Sequence, residues 1–129
     1  MSKEWPGKNE NKKFSLPARI KSFSYAFDGL FYFLKREHNA WIHLAATVIV
    51  VALCFIFPVS RLEAITLVFA IGLVWMAELF NTAIEKMMDF STTEKLPVVK
   101  FIKDVSAAAV LVSSIMALVV GCIIFIPKF

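Results

Sequence analysis

The sequence is poor in charged residues and rich in apolar ones. Only 19% of its 129 residues are charged, whereas 59% are hydrophobic. A soluble domain of this length would carry about a quarter charged residues and under half apolar ones. The apolar residues also occur in long runs, which indicates that a bilayer surrounds much of the chain. The length predicts one domain, with no room for a separate soluble catalytic domain beside the apolar runs.

Several familiar motifs are absent from the sequence. Its two cysteines, Cys54 and Cys122, lie in apolar runs without a CxxC or Cys/His ligand spacing, so we expect them to pack as small apolar side chains. There is no GxxxxGK loop, no GxGxxG loop and no HRD or DFG set, which excludes the phosphate-binding machinery of soluble kinases. We expect no secretory signal peptide, because the first apolar run starts only near residue 40, and no lipidation signal is evident.

The first third of the chain is polar and then amphipathic. Residues 1–13 are lysine-rich and lack periodicity, which predicts a disordered tail. Between Ile20 and Leu34, apolar and mostly aromatic residues recur at three- and four-residue steps, with lysines largely between them. This pattern predicts an amphipathic helix at about residues 17–36 that lies in the lipid headgroup region. A helix packed on protein is the alternative.

Three apolar segments follow, at about residues 40–57, 62–85 and 105–126. Each approaches or meets the ~20 residues that a helix needs to cross a bilayer. The sequence therefore predicts an all-α integral membrane protein with three transmembrane helices and an N-terminal interfacial helix, residues 14–129 forming the membrane domain. The third segment also carries a ladder of small residues, typical of close helix packing or of chance in an Ala/Ser-rich segment: Ala109, Ser113, Ala117 and Gly121.

The distribution of basic residues predicts the orientation. Of the 14 lysines and arginines, most precede the first segment or lie in the 86–104 loop, and only Arg61 and Lys128 remain for the other side. Cytoplasmic loops carry the excess of basic residues in membrane proteins. The amino terminus and the 86–104 loop are therefore predicted to be cytoplasmic, and the carboxyl terminus outside.

The second segment ends in a polar stripe formed by Glu78, Asn81, Glu85 and Asp89. At 100° per residue these positions fall within an arc of about 80° on one helix face. The stripe is predicted to begin just inside the cytoplasmic edge of the hydrocarbon and to run out into water. Ionisable residues inside a membrane usually have a function, because burying them is costly. Glu78 is therefore the leading candidate for proton transfer.

Other charged residues reach the same membrane face. Glu37 precedes the first segment and Asp104 precedes the third, with Lys95, Lys100 and Lys103 close by in sequence. Carboxylates gathered near lipid must be protonated, paired or metal-bound. Oxygen ligands of this kind suit Mg²⁺, which also binds phosphate oxygens. The sequence thus predicts a metal–phosphate site beside membrane lipid.

Structural explanations exist for some of these residues. Asp89 and Asp104 could be solvated residues at the ends of spans, and Glu85 could be an ordinary juxtamembrane acid. His43, which interrupts the first segment, is favoured as a packing or interhelical hydrogen-bonding residue.

The polar stripe also carries a family resemblance. Residues 78–89 read Glu-Leu-Phe-Asn-Thr-Ala-Ile-Glu-Lys-Met-Met-Asp and resemble the signature of prokaryotic diacylglycerol kinases, Glu-x-x-Asn-Ser/Thr-Ala-Ile-Glu-x-x-x-Asp. Residues 103–110, Lys-Asp-Val-Ser-Ala-Ala-Ala-Val, resemble the family's second block, Lys-Asp-x-x-x-Ala-Ala-Val. With residues 22–30 and 37–39 upstream, the resemblance covers about residues 16–128.

This resemblance implies a fold, an activity and a location. The fold is three transmembrane helices and a surface helix, assembled as a homotrimer with sites between neighbouring subunits. The activity is transfer of the ATP γ-phosphate to a lipid hydroxyl, with Mg²⁺ and without a phosphoenzyme. The partners are ATP, a membrane lipid alcohol and the bilayer, with no nucleic acid, and the location is the bacterial cytoplasmic (inner) membrane.

The resemblance also implies residue roles. Glu78 corresponds to the general base, Glu37 and Glu85 to Mg²⁺ ligands, and Asn81 and Asp89 to supporting residues. The implied nucleotide site comprises Tyr25, Glu37, Glu85, Glu94, Lys95, Leu96, Lys103 and Asp104. The chain departs from the family pattern at Ala18, where an ATP-contacting arginine is expected; Arg19 is adjacent.

The sequence leaves two alternatives for the lipid substrate and two for the class of function. Glu37, Asn39, Ile42 and His43, with the Ile-Phe-Ile-Pro-Lys ending, are more similar to undecaprenol kinases, so undecaprenol is slightly favoured over diacylglycerol. The rival to a kinase is a non-enzymatic membrane subunit or an ion-conducting component. An ion path needs polar residues across the bilayer, yet residues 64–77 offer only Thr66 and Gly72 as interruptions of the apolar run.

Overall fold

The computed structural model describes residues 13–129, and within them every regular element is a helix. The helices are α1 (Leu16–Arg36), α2 (His38–Ile56), α3 (Arg61–Ser91) and α4 (Pro97–Phe125), followed by a 3₁₀ turn at Ile126–Lys128. Two units meet within α1, the first ending at Tyr32 and the second comprising Phe33–Phe129. The predicted disordered tail, residues 1–13, lies outside the described residues except for Lys13.

Three of the helices fit a membrane protein. The segments His38–Ile56, Arg61–Ser91 and Pro97–Lys128 contain windows with a mean hydropathy of 2.1, 1.9 and 2.8. At 1.5 Å per residue, α2 is about 29 Å long and α3 about 46 Å, against a hydrocarbon thickness of ~30 Å. The prediction of three apolar helices is confirmed. No more than 17% of any window is buried inside the chain, so lipid or further protein must cover the rest.

The connection between α2 and α3 follows from local sequence. Phe57 is extended (φ −107°, ψ 149°) because the following proline disfavours a helical conformation. Ser60 then begins α3 with a capping box. The Glu63 amide donates to the Ser60 hydroxyl (3.1 Å), and the Ser60 amide donates to the Glu63 carboxylate (3.2 Å). Two amides that no intrahelical bond could satisfy are thereby paired.

Helices α3 and α4 both extend past the predicted apolar segments. α3 continues beyond residue 85 to Ser91, and α4 begins at Pro97, eight residues before residue 105. Proline suits the first helical turn because its missing amide would have no partner there. Polar residues such as Lys100 and Asp104 therefore lie on the helix, not in a loop. The connection left between the two helices is residues 92–96.

The apolar core of the second unit lies at the end where α2 turns into α3. α3 packs mainly against α4, and α2 packs against α3. Leu67, Ile124 and Phe125 form a buried cluster there, and Lys128 pairs with Glu63 at 3.1 Å. The opposite end, which we call the loop end, contains residues 92–96 and the polar stripe.

Helix α1 shows the expected aromatic face. Phe23, Phe27 and Phe31 are exposed within the chain. This exposure fits a helix that meets lipid, and its location in the headgroup region stays a prediction.

Candidate active site

Three polar side chains are buried within the part of the chain that the structure describes. They are Glu78 (2% exposed), Asn81 (6%) and Ser106 (7%), the first two on α3 and the third on α4. An unpaired polar group in apolar surroundings costs several kcal/mol, roughly 2–7 for a neutral group and more for a charge. Every buried side-chain nitrogen and oxygen of the described residues has a hydrogen-bond partner. Those partners define the candidate site.

Glu78 is paired with His43 across the α2–α3 interface. The Oε1 atom of Glu78 lies 2.9 Å from Nε2 of His43. About one turn away, the Trp75 indole donates to the Thr47 hydroxyl (2.9 Å), which itself donates to the His43 carbonyl (2.7 Å). Two polar links therefore join α2 and α3 beside Glu78. The interhelical hydrogen bond that was one of the alternatives for His43 is confirmed.

Asn81 connects α4 to Glu85. The Ser106 hydroxyl donates to Oδ1 of Asn81 (2.7 Å), and Nδ2 of Asn81 donates to Oε1 of Glu85 (3.4 Å). Because Oδ1 accepts from the hydroxyl, the amide nitrogen is turned towards the carboxylate. Ser106 thus orients the Asn81 amide so that its nitrogen donates to Glu85.

Glu37 lies at the same level of the bundle as Glu85. It immediately precedes α2, and its Oε1 atom is 3.6 Å from Nζ of Lys86, the residue that follows Glu85 on α3. The Lys86 side chain is 70% exposed, so this ion pair adds little stability. The contact nevertheless shows which turn of α3 faces Glu37, and that turn is the one that carries Glu85.

The donor set is compatible with Mg²⁺ bound together with phosphate. Within residues 13–129, no three His, Cys, Asp or Glu side chains lie close enough together to hold a metal ion. Mg²⁺ commonly uses one or two protein carboxylates and takes its other ligands from water and substrate phosphates. Glu37 and Glu85 can supply two carboxylates of that kind, and their role as metal ligands stays a prediction.

A polar cavity of about 740 Å³ lies at the loop end. It contains five of the residues that the family resemblance implies for the nucleotide site: Glu94, Lys95, Leu96, Lys103 and Asp104. Lys103 pairs with Asp89 of α3 at 2.5 Å across the cavity, and Lys100 pairs with Asp104 of the same helix at 2.5 Å. Lysine ammonium groups are compact charges that bind phosphate. The cavity therefore has the chemistry to hold a phosphate chain.

An apolar cavity of about 390 Å³ lies between α2, α3 and α4. His43 and Trp75 are among its lining residues, and so are Phe125 and Ile126 near the opposite end of the bundle. Two members of the small-residue ladder, Ala117 and Gly121, also face it. His43, the partner of Glu78, therefore borders a space that can hold hydrocarbon.

Tyr25 belongs to the first unit. It is on α1 with 61% of its surface exposed. Its place in the nucleotide site stays a prediction.

The sequence interpretation missed several residues that contact the candidate site. Ser106 could have been found, because it is a hydroxyl residue at the start of an apolar segment and lies inside the second family block. Thr47, Trp75 and Lys86 carry no comparable sequence signal. Their roles depend on how the helices are rotated against one another.

Comparisons with known proteins show the family of this chain. Residues 24–125 match the model of the family described as prokaryotic diacylglycerol kinase. The chain is 35% identical over 109 residues to an undecaprenol kinase of Bacillus subtilis, which covers 84% of this chain and 89% of that protein. It is also 30% identical over 112 residues to a diacylglycerol kinase of Synechocystis, a match that covers 86% of this chain and 64% of that protein. A diacylglycerol kinase of Escherichia coli is 30% identical over 118 residues, which cover 85% of this chain and 90% of that protein. The chain therefore belongs to the prokaryotic diacylglycerol kinase family and is a membrane lipid kinase.

Proposed function

We propose that this protein transfers the γ-phosphate of ATP to the hydroxyl group of a membrane lipid, with Glu78 as the general base. The observation that carries this proposal is a buried carboxylate with one oxygen held by His43, a residue that also lines the apolar cavity. Carboxylates are rare in such surroundings, and when present they mark sites of function.

The reaction requires one proton transfer and one phosphoryl transfer. Glu78 accepts the proton of the lipid hydroxyl while the hydroxyl oxygen forms a bond to the γ-phosphorus. The bond between that phosphorus and the bridging oxygen breaks, and ADP leaves with the electron pair. Catalysis of this type depends mainly on positioning and on neutralising phosphate charge. The protein's tasks are therefore to align the hydroxyl beside Glu78 and to hold the triphosphate.

The polar cavity at the loop end is the proposed site for the triphosphate. Lys103, Lys95 and Lys100 line it and can donate hydrogen bonds to phosphate oxygens. Glu37 and Glu85 would bind Mg²⁺, which when present neutralises part of the phosphate charge. Asn81 and Asp89 have supporting roles, since Asn81 donates to Glu85 and Asp89 pairs with Lys103.

Undecaprenol is the proposed lipid, with diacylglycerol as the second candidate. The undecaprenol kinase of Bacillus subtilis is 35% identical to this chain and is matched over 89% of its length. Diacylglycerol remains the alternative because several relatives of 30–35% identity carry the name diacylglycerol kinase. Both lipids present a primary hydroxyl on an apolar body, so the same base can serve either.

The proposed setting is the bacterial cytoplasmic membrane. The positive charge near the amino terminus and in residues 86–104 supports a cytoplasmic location for both, where ATP is available. The large apolar surface left exposed by one chain is compatible with a homotrimer.

Side-by-side phosphorylation of the two lipids tests the proposal. Purified protein in detergent micelles receives γ-labelled ATP and equal mole fractions of undecaprenol or diacylglycerol. We expect Mg²⁺-dependent label in both lipids, with a higher kcat/KM for undecaprenol. A higher kcat/KM for diacylglycerol would reverse the lipid assignment, and no labelled lipid from correctly folded protein would contradict the proposed reaction.

A further inference from the structure

The contact between His43 and Glu78 has a specific geometry. Only Oε1 of Glu78 is hydrogen-bonded to the histidine, at 2.9 Å. The two side chains are 17% and 3% exposed, so the contact is largely shielded within the chain itself. A hydrogen bond to a charged group is roughly twice as strong as one between neutral groups.

Hydrogen bonds within α2 and between α2 and α3 fix the backbone that carries His43. Thr47 donates to the His43 carbonyl and accepts from the Trp75 indole. Trp75 packs edge-on against the buried Phe33 ring, with 6.1 Å between ring centres. These links fix the turn of α2 that carries His43 against the turn of α3 that carries Glu78. The imidazole thus approaches the carboxylate from a defined direction.

We propose that His43 is a positioning residue for Glu78. Its Nε2–H donates to Oε1 of the ionised carboxylate and leaves Oε2 to accept the proton of the lipid hydroxyl. This inference rests on the proposed role of Glu78 and adds the group that orients it. His43 acts through Glu78 and does not contact the reacting phosphorus.

The role predicts a pattern of rate effects. His43→Leu keeps the apolar volume and removes the hydrogen bond, and a base displaced by about 1 Å can lose up to about a hundredfold in rate. We therefore expect kcat to fall about ten- to hundred-fold, with KM for ATP unchanged. His43→Gln retains an N–H donor at a similar reach and should recover most of the lost rate. His38→Leu is the matched control, because His38 is exposed and packs against Trp41.

A double-mutant cycle separates positioning through Glu78 from any other role. Residues that act as one unit show non-additive losses. In the Glu78→Gln background, His43→Leu should therefore cause no further loss of kcat. Thermal unfolding of each variant in detergent checks that it folds. Should the leucine variant not fold, His43→Asn takes its place, since asparagine is polar but shorter.

These experiments distinguish failure of the positioning role of His43 from failure of the general-base role of Glu78. Near-wild-type turnover of Glu78→Gln would overturn the general-base assignment itself. A strong loss in Glu78→Gln combined with wild-type turnover in His43→Leu would overturn only the positioning role. Two further results would overturn that role. One is an equal fall in kcat from His43→Leu in the wild-type and Glu78→Gln backgrounds. The other is a kcat for His43→Gln no higher than that for His43→Leu.

Discussion

The buried polar residues of this protein act in pairs that join different helices. Glu78 on α3 is paired with His43 on α2, and Asn81 on α3 with Ser106 on α4. A polar side chain surrounded by apolar protein is tolerated when its hydrogen bonds are made. These contacts therefore stabilise the helix arrangement, and in the proposed mechanism they also orient the reacting groups.

Replacing Ser106 with alanine tests whether Asn81 is oriented from α4. The Asn81 carbonyl would lose its donor, which costs about 1–3 kcal/mol for a buried group. We expect a lower thermal stability and a higher Mg²⁺ concentration for half-maximal activity, because the Asn81 amide would no longer be fixed towards Glu85. Ser113→Ala is the control, since that hydroxyl donates to a carbonyl of its own helix. Identical Mg²⁺ dependence in the two variants would remove Ser106 from the site.

Replacing Glu85 with glutamine tests its predicted role in holding MgATP. Loss of an interaction with a charged group costs about 1.5–3 kcal/mol, which corresponds to about ten- to hundred-fold in affinity. MgATP binding measured by titration should weaken by that factor. Glu63→Gln serves as the control, because Glu63 pairs with Lys128 at the opposite end of the bundle. An unchanged titration for Glu85→Gln would count against the metal role.

At the scale of helices, sequence patterns predicted the number of apolar helices and the face that carries the polar stripe. The spacing of Glu78, Asn81 and Glu85 places them on one side of α3 without knowledge of the fold. The full lengths of α3 and α4 were not predicted, because hydropathy measures the apolar stretch and a helix can continue through polar residues. The cross-helix partners were not predicted either, since contacts such as Ser106–Asn81 depend on helix rotation and register.

Removing the capping box tests the account of where α3 begins. Ser60→Ala leaves the Glu63 amide without its side-chain acceptor, and such changes cost about 1 kcal/mol. Thermal unfolding in detergent should reveal this loss, whereas kcat should stay at the wild-type value because Ser60 lies at the end opposite the site. Ser91→Ala is the comparison, since its hydroxyl donates to the Met87 carbonyl within the same helix. Equal stability of the two variants would contradict the cap's contribution.

At the scale of the whole molecule, ionisable and apolar side chains are separated along the bundle formed by α2, α3 and α4. Ionisable side chains gather at the loop end, and apolar side chains cover most of α2 and the adjoining parts of α3 and α4. Membership of a lipid kinase family excludes the alternative of a non-enzymatic membrane subunit. The homotrimer stays a prediction, to be measured as the mass of the protein in detergent.

Cysteine labelling tests the predicted orientation. In a background with Cys54 and Cys122 replaced by alanine, Thr93→Cys places a thiol in the 92–96 connection and Phe129→Cys places one at the carboxyl terminus. Both positions are exposed. A membrane-impermeant maleimide should label residue 93 only in inside-out vesicles and residue 129 in intact spheroplasts. The reverse pattern would contradict the orientation derived from basic residues.

The turnover of Glu78→Gln is the most direct test of the account as a whole. Glutamine keeps the shape and a hydrogen-bonding oxygen beside His43 but cannot accept the lipid proton at neutral pH. We predict a folded protein that binds ATP as the wild type does and transfers phosphate to lipid at least ~10²-fold more slowly, the usual contribution of a general base. Turnover close to that of the wild type would contradict the central claim that Glu78 activates the lipid hydroxyl.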